Sequence, residues 1–268
     1  MLCLSVRTLA SSPFSHTFSP PKHLLRLKPS FSHKPFSPSS PSKFSTKMSS
    51  SQTIEHIVLF HVKDDTDPSK VTAMVNGLSG LSSLDQVLHL TAGPILRNRS
   101  SSFNFTHMLH SRYKSKEDLS NYSTNPKHMS VVKECVLPIC DDIMAVDWVA
   151  VDLDGPVSPN PGSAMRLTFL KVKEGLGETE KSEILGVIGG IRACFGSIDQ
   201  ISFGENFSPA RAKGFSIASV AVFPGLNELD AVDSNKEMVA LQKDKVREYL
   251  DSVIVLDYVI PPPQSASL

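Results

Sequence analysis

The chain has 268 residues, with 27 basic and 27 acidic side chains, and only 20% of its residues are charged. This balance does not indicate binding to nucleic acid or to an acidic partner. No stretch reaches the roughly 18 consecutive apolar residues of a membrane-spanning helix, so no membrane association is predicted either.

The first 50 residues differ in composition from the rest. They contain no Asp or Glu, and their basic residues alternate with Ser, Pro and Phe, so this segment cannot bury a core. We predict a disordered, transit-like leader over residues 1–50, and its Ser and Pro content favours the chloroplast. An ordinary disordered tail is the alternative.

Residues 54–151 show the order β-α-β-β-α-β. The predicted elements are a strand at Ile54–Lys63, a helix from Asp67, strands at Val87–Gly93 and Phe103–Arg112 joined by a polar loop at Arg97–Ser102, helices at Ser115–Tyr122 and Pro126–Ile139, and a strand at Ile143–Val151. The second helical connection is thus split in two. This is the order of a ferredoxin-like sandwich, in which helices cover one face of the sheet.

The same pattern begins again after a linker rich in Pro, Gly and Asp at residues 152–163. The second set is a strand at Met165–Lys173, a helix at Glu178–Phe195, strands at Ile198–Phe203 and Gly214–Phe223, helical residues at Leu226–Leu250 and a strand at Val253–Val259. Matching residues lie 110 positions apart (Phe105 to Phe215, and Asp147 to Asp257). An equal interval over several elements indicates an internal repeat.

Each half should leave one sheet face bare. Exposed apolar surface costs about 25 cal/mol per Å². We therefore expect the bare faces of residues 54–151 and 164–260 to pack together as an intramolecular pseudo-dimer with a barrel-like centre. The predicted fold class is α+β, with two tandem ferredoxin-like (dimeric α/β-barrel) domains.

Three histidines and a tyrosine in the first half form the predicted site: His56, His107, His128 and Tyr122. Asn125 is the expected N-cap of a helix whose first residue is Pro126, so His128 lies third, over unpaired N–H groups and the positive end of the helix dipole. That position disfavours the imidazolium, and a neutral histidine can act as a general base.

Other interpretations of these residues stay open. A lone histidine on an apolar strand face, such as His56 or His107, is more often a core residue with one backbone partner than a catalyst. A three-histidine metal site is disfavoured because no carboxylate at ligand spacing accompanies the histidines. The cysteines show no metal-ligand spacing and no disulfide framework, so neither a metal nor another cofactor is predicted.

Four stretches of the first half together resemble the stress-response A/B barrel (dimeric α/β-barrel, Dabb) family of plants and bacteria. They are EHIVLFHVK at Glu55–Lys63, FTHML at Phe105–Leu109, NYSTNPKHMSVV at Asn121–Val132 and AVDWV at Ala145–Val149. The second half matches through RLTFLKVK at Arg166–Lys173 and VLDYV at Val255–Val259. The resemblance implies the same fold for both halves.

The resemblance also implies a function. One family member, olivetolic acid cyclase, closes a linear polyketide thioester by an aldol reaction that uses a histidine base and a tyrosine helper. Residue by residue, it implies His128 as the base, Tyr122 as the helper, and His56 and His107 as substrate-binding residues. The implied ligand is a small hydrophobic carbonyl compound, with aldol-type cyclase or lyase chemistry as an extension. A non-enzymatic, stress-associated structural or interaction role is the alternative.

The second half departs from this pattern at every matching position. In the alignment of the two halves, the positions of His56, His107, Tyr122 and His128 are taken by Arg166, Ile217, Ala231 and Glu237. We therefore expect only the first half to hold a site, with the second half as its packing partner.

Residues 261–268 are predicted to form a flexible tail that carries a targeting signal. The terminal Ala266-Ser267-Leu268 is a permissive variant of the peroxisomal SKL signal. Met48 would start a chain without the basic leader. We hypothesise a chloroplast form from Met1 and a peroxisomal form from Met48, and a chance match of the last three residues is the alternative.

Overall fold

The computed structural model describes residues 52–100, 102–151 and 153–262. The predicted leader at residues 1–50, the Met48 start and the terminal Ala266-Ser267-Leu268 lie outside these residues. Targeting to the chloroplast or the peroxisome therefore stays a prediction.

Each half of the described chain is an antiparallel sheet with helices on one face. The first half contains β1 (Gln52–Val62), α1 (Pro68–Ser79), β2 (His89–Pro94), β3 (Arg97–Asn98), β4 (His107–Tyr113), α2 (Lys116–Thr124), α3 (Pro126–Val131) and β5 (Cys140–Val151). The second contains β6 (Ala164–Val172), α4 (Glu178–Cys194), β7 (Gln200–Glu205), β8 (Ile217–Phe223), α5 (Leu226–Ser234), α6 (Lys236–Asp244) and β9 (Leu250–Val259). The strand orders are β2-β4-β1-β5 and β3-β9-β6-β8-β7.

The predicted helix starts at Asp-Pro and Asn-Pro are confirmed. Asp67 accepts a hydrogen bond from Ser69 N at 2.8 Å, and Asn125 accepts one from Lys127 N at 2.9 Å. The helix predicted to continue to Ile139 is wrong in its second half, because α3 ends at Val131 and a wider π-helical turn follows at Val132–Val136. Pro138 lacks the N–H that a longer helix would need.

The segment Arg97–Ser102 is more than the predicted polar loop. Arg97–Asn98 forms β3, which pairs with β9 of the other half, and Leu96 N donates to Asp257 O at 2.9 Å. This pairing covers the edge of β9, which would otherwise expose unpaired backbone groups. No local pattern could reveal a pairing with a strand so distant in sequence.

The strand predicted from Phe103 begins only at His107. Phe105 lies outside β4 and packs in the core between the two sheets, whereas Leu109 packs beneath the helices. In a strand that ran on from Phe103, alternation would place Phe105 on the same face as Leu109, and the structure places them on opposite faces of the sheet. Thr106 N donates to Phe60 O, and Thr106 O accepts from Ile95 N. The alternation of side chains between the two sheet faces does not continue past this residue.

The two sheets pack together through their helix-free faces. Their shared core contains apolar residues of both halves, among them Ile57, Leu59, Trp148, Phe169 and Leu256. Separate clusters fill the space between each sheet and its own helices. The chain is thus an intramolecular pseudo-dimer of two ferredoxin-like domains, as predicted.

The two halves match in strand register and in helix caps, and the caps correct the sequence alignment at two positions. His56 lies opposite Asp147 just as Arg166 lies opposite Asp257. In the helices, however, Asn125 and Asn235 are both N-caps. Counting from these caps, the counterparts of Tyr122 and His128 are Val232 and Met238, each 110 positions further along the chain, and not the predicted Ala231 and Glu237. Both counterparts are apolar.

A buried polar cluster lies on the inter-sheet face of the first half. Glu55 bonds to His110 at 2.6 Å and accepts from Arg112 Nε at 3.1 Å. Arg112 also donates to Gln200 of the second half at 2.8 Å, and Gln200 donates to the linker carbonyl of Asp154 at 2.7 Å. Burial alone would raise the pKa of Glu55, but the Arg112 guanidinium and the hydrogen bond from His110 hold that pKa well below its usual range.

We expect His89, at the edge of this cluster, to make the protein less stable in acid. Burial lowers the pKa of His89 to about 3, and its Nδ1 bonds to Ser158 Oγ at 3.0 Å. The pKa of a histidine in the unfolded chain is about 6.5, so the unfolded chain binds the proton first as the pH falls. The free energy of unfolding should therefore be constant above about pH 6.5 and fall by up to about 1.4 kcal/mol per pH unit below it for this group.

Urea unfolding between pH 7.5 and 4.5 measures this slope. The variant His89→Asn keeps a polar atom near Ser158 but cannot titrate, so its slope should be shallower than that of the wild type. Ser158→Ala removes the hydrogen bond and keeps the titrating ring, and it should retain the steep slope. Equal slopes for His89→Asn and the wild type would show that His89 does not cause the acid sensitivity.

Candidate functional site

A cavity of about 290 Å³ lies between the helix-covered face of the first sheet and the helices above it. Most of its wall is apolar: Val58, Phe60, Leu78, Leu109, Val132, Val136, Leu137 and Ile143. Its polar lining consists of His56, Tyr122, Ser123 and His128 from the first half and Arg211 from the second. A site that is mostly apolar with a few convergent polar groups is typical of small-molecule binding.

His128 lines the cavity from the first turn of α3. Its Nδ1 donates to the backbone carbonyl of Ser123 at 3.1 Å, and this tautomer leaves Nε2 unprotonated. Burial is the main cause that lowers the pKa of His128. The ring is therefore neutral near pH 7, as the sequence predicts, although burial rather than the helix dipole is the principal reason. A neutral ring with a free nitrogen can accept a proton.

Tyr122 lies on α2 beside His128, with the two ring centroids 4.5 Å apart. Its hydroxyl is buried and makes no hydrogen bond of normal geometry to any residue that the structure describes, although the neighbouring Tyr113 is near enough to affect its pKa. Burial raises the pKa of Tyr122. The phenol is therefore protonated, and it is available to donate to an oxygen atom in the cavity.

His56 and Asp147 form a buried pair on the neighbouring strands β1 and β5. Their side chains meet because the antiparallel register places them directly opposite, and Nδ1 bonds to Oδ1 at 2.5 Å. Burial alone would raise the pKa of Asp147, but the contact with His56 lowers it. Sequence reasoning missed Asp147 as a site residue. The recurrence of Asp in AVDWV and VLDYV was the available signal.

The structure does not bring His107 to the cavity wall. This residue begins β4, opposite Phe60 and Pro94 near the strand ends, and its Nδ1 bonds to Thr106 Oγ1 at 2.9 Å. His56, Tyr122 and His128 thus line one cavity, and His107 lies beyond it.

The corresponding place in the second half is occupied by charged pairs. Arg166 bonds to Asp257 at 2.8 Å and to Asp233 at 2.7 Å, and Arg99 of the first half joins the same two carboxylates. The counterparts of Tyr122 and His128 are apolar, so this half lacks the histidine and tyrosine groups.

Neither a metal site nor a membrane-spanning helix is found in the described ranges. Residues 52–100, 102–151 and 153–262 contain no group of three or more His, Cys, Asp or Glu side chains arranged to hold a metal ion. Over the same part of the chain, no helix is long and apolar enough to cross a membrane.

Together, these features define a tandem ferredoxin-like pseudo-dimer whose first half has a cavity lined by histidine and tyrosine. The family model described as "Stress responsive A/B Barrel Domain" matches this chain twice, at residues 54–150 and 165–260. The chain therefore belongs to the stress-responsive A/B barrel family and carries two copies of its domain.

Two relatives of known sequence agree with this membership, and a solved structure shares the fold. The chain is 55% identical over 272 residues to a stress-response A/B barrel domain-containing protein of Arabidopsis thaliana, and the match covers 100% of both chains. It is 47% identical to a second protein of that description from the same plant, over 79% of this chain and 98% of the relative. A proposed monooxygenase from Fusobacterium nucleatum has the same fold, with a TM-score of 0.55 and 14% identity over 80% of this chain and 94% of that one.

Proposed function

We propose that the first half binds a small hydrophobic carbonyl compound and that His128 and Tyr122 act on it by aldol-type chemistry. One observation carries the proposal: a buried, protonated Tyr122 hydroxyl, which makes no hydrogen bond of normal geometry in the described part of the chain, lies beside a neutral histidine. Burying a hydroxyl without a hydrogen-bond partner costs free energy. A ligand oxygen or a water molecule that accepts its hydrogen bond removes that cost.

The two groups suit the removal of a proton beside a carbonyl. The unprotonated Nε2 of His128 takes the proton from carbon, and the negative charge that develops on the carbonyl oxygen is stabilised by the Tyr122 hydroxyl. Asp147 holds Nδ1 of His56, which directs the other ring nitrogen of His56 away from that carboxylate. The apolar wall accommodates the hydrocarbon part of the ligand.

Binding is tested by calorimetric titration of the full chain with 2-nonanone. Tyr122→Phe should weaken binding by about threefold to tenfold, which corresponds to the loss of one neutral hydrogen bond. His107→Gln alters a histidine outside the cavity and should bind like the wild type. If the variants change the melting temperature and the wild type binds no ketone, the alternative of a structural or interaction protein is favoured.

Proton abstraction is tested separately, by following deuterium exchange next to the carbonyl of 2-nonanone in D₂O by NMR. We expect the wild type to accelerate this exchange and His128→Gln to slow the accelerated rate by about 10²–10⁴-fold. His107→Gln again serves as the matched control. If the exchange rate equals that in buffer, the protein binds the ketone but does not catalyse the proposed proton abstraction.

A further inference from the structure

Among the described residues that line the cavity, Arg211 alone comes from the second half of the chain. It ends a short 3₁₀ turn, Pro209–Arg211, in the connection between β7 and β8. We call residues 206–212 of this connection the crossing loop. The cavity of the first half is therefore incomplete without the second half.

The crossing loop is fastened to the strand that carries Asp147. Phe207 N donates to Asp147 O at 2.9 Å, and Asp147 N donates to Asn206 Oδ1 at 3.1 Å. At the other end of the loop, Ala212 is completely buried in the core between the sheets. The same Asp147 holds His56 through its carboxylate, so one residue positions both the crossing loop and a cavity histidine.

Arg211 is an exposed residue and forms no salt bridge with a carboxylate in the described part of the chain. Every other arginine of the described ranges pairs with a carboxylate: Arg97 with Asp230, Arg99 with Asp233, Arg112 with Glu55, Arg166 with Asp257, Arg192 with Asp154 and Arg247 with Asp244. No such pair and no hydrogen bond is found for Arg211 in the same ranges. Its charge lowers the pKa of His128 and of Asp147, although it is a lesser cause for both, which agrees with its place on the cavity wall.

Each half sends a connection across to the other half, and the two connections differ in whether their arginines are paired with carboxylates. The equivalent connection of the first half also crosses over, since Leu96 N donates to Asp257 O as Phe207 N does to Asp147 O. Its arginines, however, are neutralised by Asp230, Asp233 and Asp257. Within the described ranges, the crossing connection delivers an unpaired guanidinium only on the side of the histidine and tyrosine cavity.

We propose that Arg211 binds the carboxylate of the ligand, so that the cavity takes an apolar-chain carboxylic acid, with the chain against the apolar wall. The planar guanidinium matches a carboxylate in two parallel hydrogen bonds. A single cation in the wall suits a monoanion better than a phosphate, which carries up to two charges. This inference rests on the proposed function, because it assumes that the cavity binds a small molecule, and it names the class of that molecule.

The test compares octanoate with its uncharged analogue methyl octanoate by calorimetric titration of the full chain. We expect the wild type to bind octanoate more tightly, and Arg211→Gln to weaken octanoate binding by about tenfold to a hundredfold, as for the loss of a charged hydrogen bond. Binding of methyl octanoate should change by less than about twofold. Arg211→Lys should lie between, because lysine keeps the charge and loses the two-point geometry.

Arg247→Gln removes an exposed arginine outside this cavity and should leave both affinities unchanged. Thermal unfolding of each variant verifies that the fold is intact. Equal affinity of octanoate for the wild type and Arg211→Gln would overturn the role of Arg211. So would an equal loss of acid and ester, which would mean that Arg211 only supports the wall.

Two further outcomes separate the proposals. If octyl phosphate binds the wild type much more tightly than octanoate and depends on Arg211, the assignment to carboxylates is overturned. If methyl octanoate binds but octanoate is not preferred, the inference on Arg211 fails and the proposed cavity stands. If neither the acid, the ester nor 2-nonanone binds, the proposed function itself fails.

Discussion

Replacing Trp148 by Ala is expected to lower the free energy of unfolding by about 3–5 kcal/mol. The side chain is completely buried in the core between the two sheets, and its Nε1 donates to Ser202 of the second half at 3.0 Å. Gly204 permits this close approach, since a Cβ there would lie 3.0 Å from Trp148 Cδ1. The substitution therefore weakens the packing between the two halves. Urea denaturation of the full chain measures it.

Two matched variants separate the packing of Trp148 from its hydrogen bond. Trp148→Phe keeps most of the apolar volume and should cost less than Ala. Ser202→Ala leaves the indole N–H buried without a partner and should cost about 1–3 kcal/mol. A change below about 1 kcal/mol for Trp148→Ala would contradict the idea that the interface between the halves stabilises the whole chain.

Replacing Glu55 by Met is also expected to cost about 3–5 kcal/mol, because it leaves the Arg112 guanidinium buried without its carboxylate. Both side chains are completely buried. Protonation of Glu55 also makes the contribution of this pair to the free energy of unfolding depend on pH. The pKa of Glu55 is lowered in the folded chain, so its contribution is complete above the unfolded value of about 4.3 and is lost as the pH falls below it.

The double variant Glu55→Met/Arg112→Met is the decisive control. An ion pair replaced as a whole by apolar residues is often tolerated, whereas removing one partner is not. The second half already has Met165 and Val222 at the equivalent positions of this face. We therefore expect the double variant to be more stable than the single one. If it is less stable, the cost comes from lost packing, or from the groups of Gln200 and Val157 that Arg112 satisfies.

Much of the fold can be predicted from local patterns. The alternation in β1 places His56, Val58 and Phe60 on one face, and Asn125-Pro126 marks the start of α3. These features depend on neighbouring residues alone, so the chain itself reveals them. The equal interval between the repeats also predicts two similar halves with matching bare faces.

The site could be predicted only in part. Tyr122 and His128 are six residues apart and meet through the local geometry of α2 and α3. His56 lies near them because the alternation of residues in β1 places it on the sheet face that the helices cover. His107 has the same residue type and an apolar neighbourhood, but its position at the end of β4 leaves it outside the cavity wall. The alternation of residues defines a face of a strand and does not define how far along that face a cavity extends.

The sequence by itself determined the two repeats, their α+β order and the place of a histidine at the start of α3. Only the tertiary structure decided that β3 joins the sheet of the other half, that Asp147 holds His56, and that Arg211 reaches a cavity of the first half. The physical reason is the range of the interactions. Caps and alternating faces arise between residues close in the chain, whereas register, crossing connections and charge partners depend on which surfaces the folded halves bury against each other.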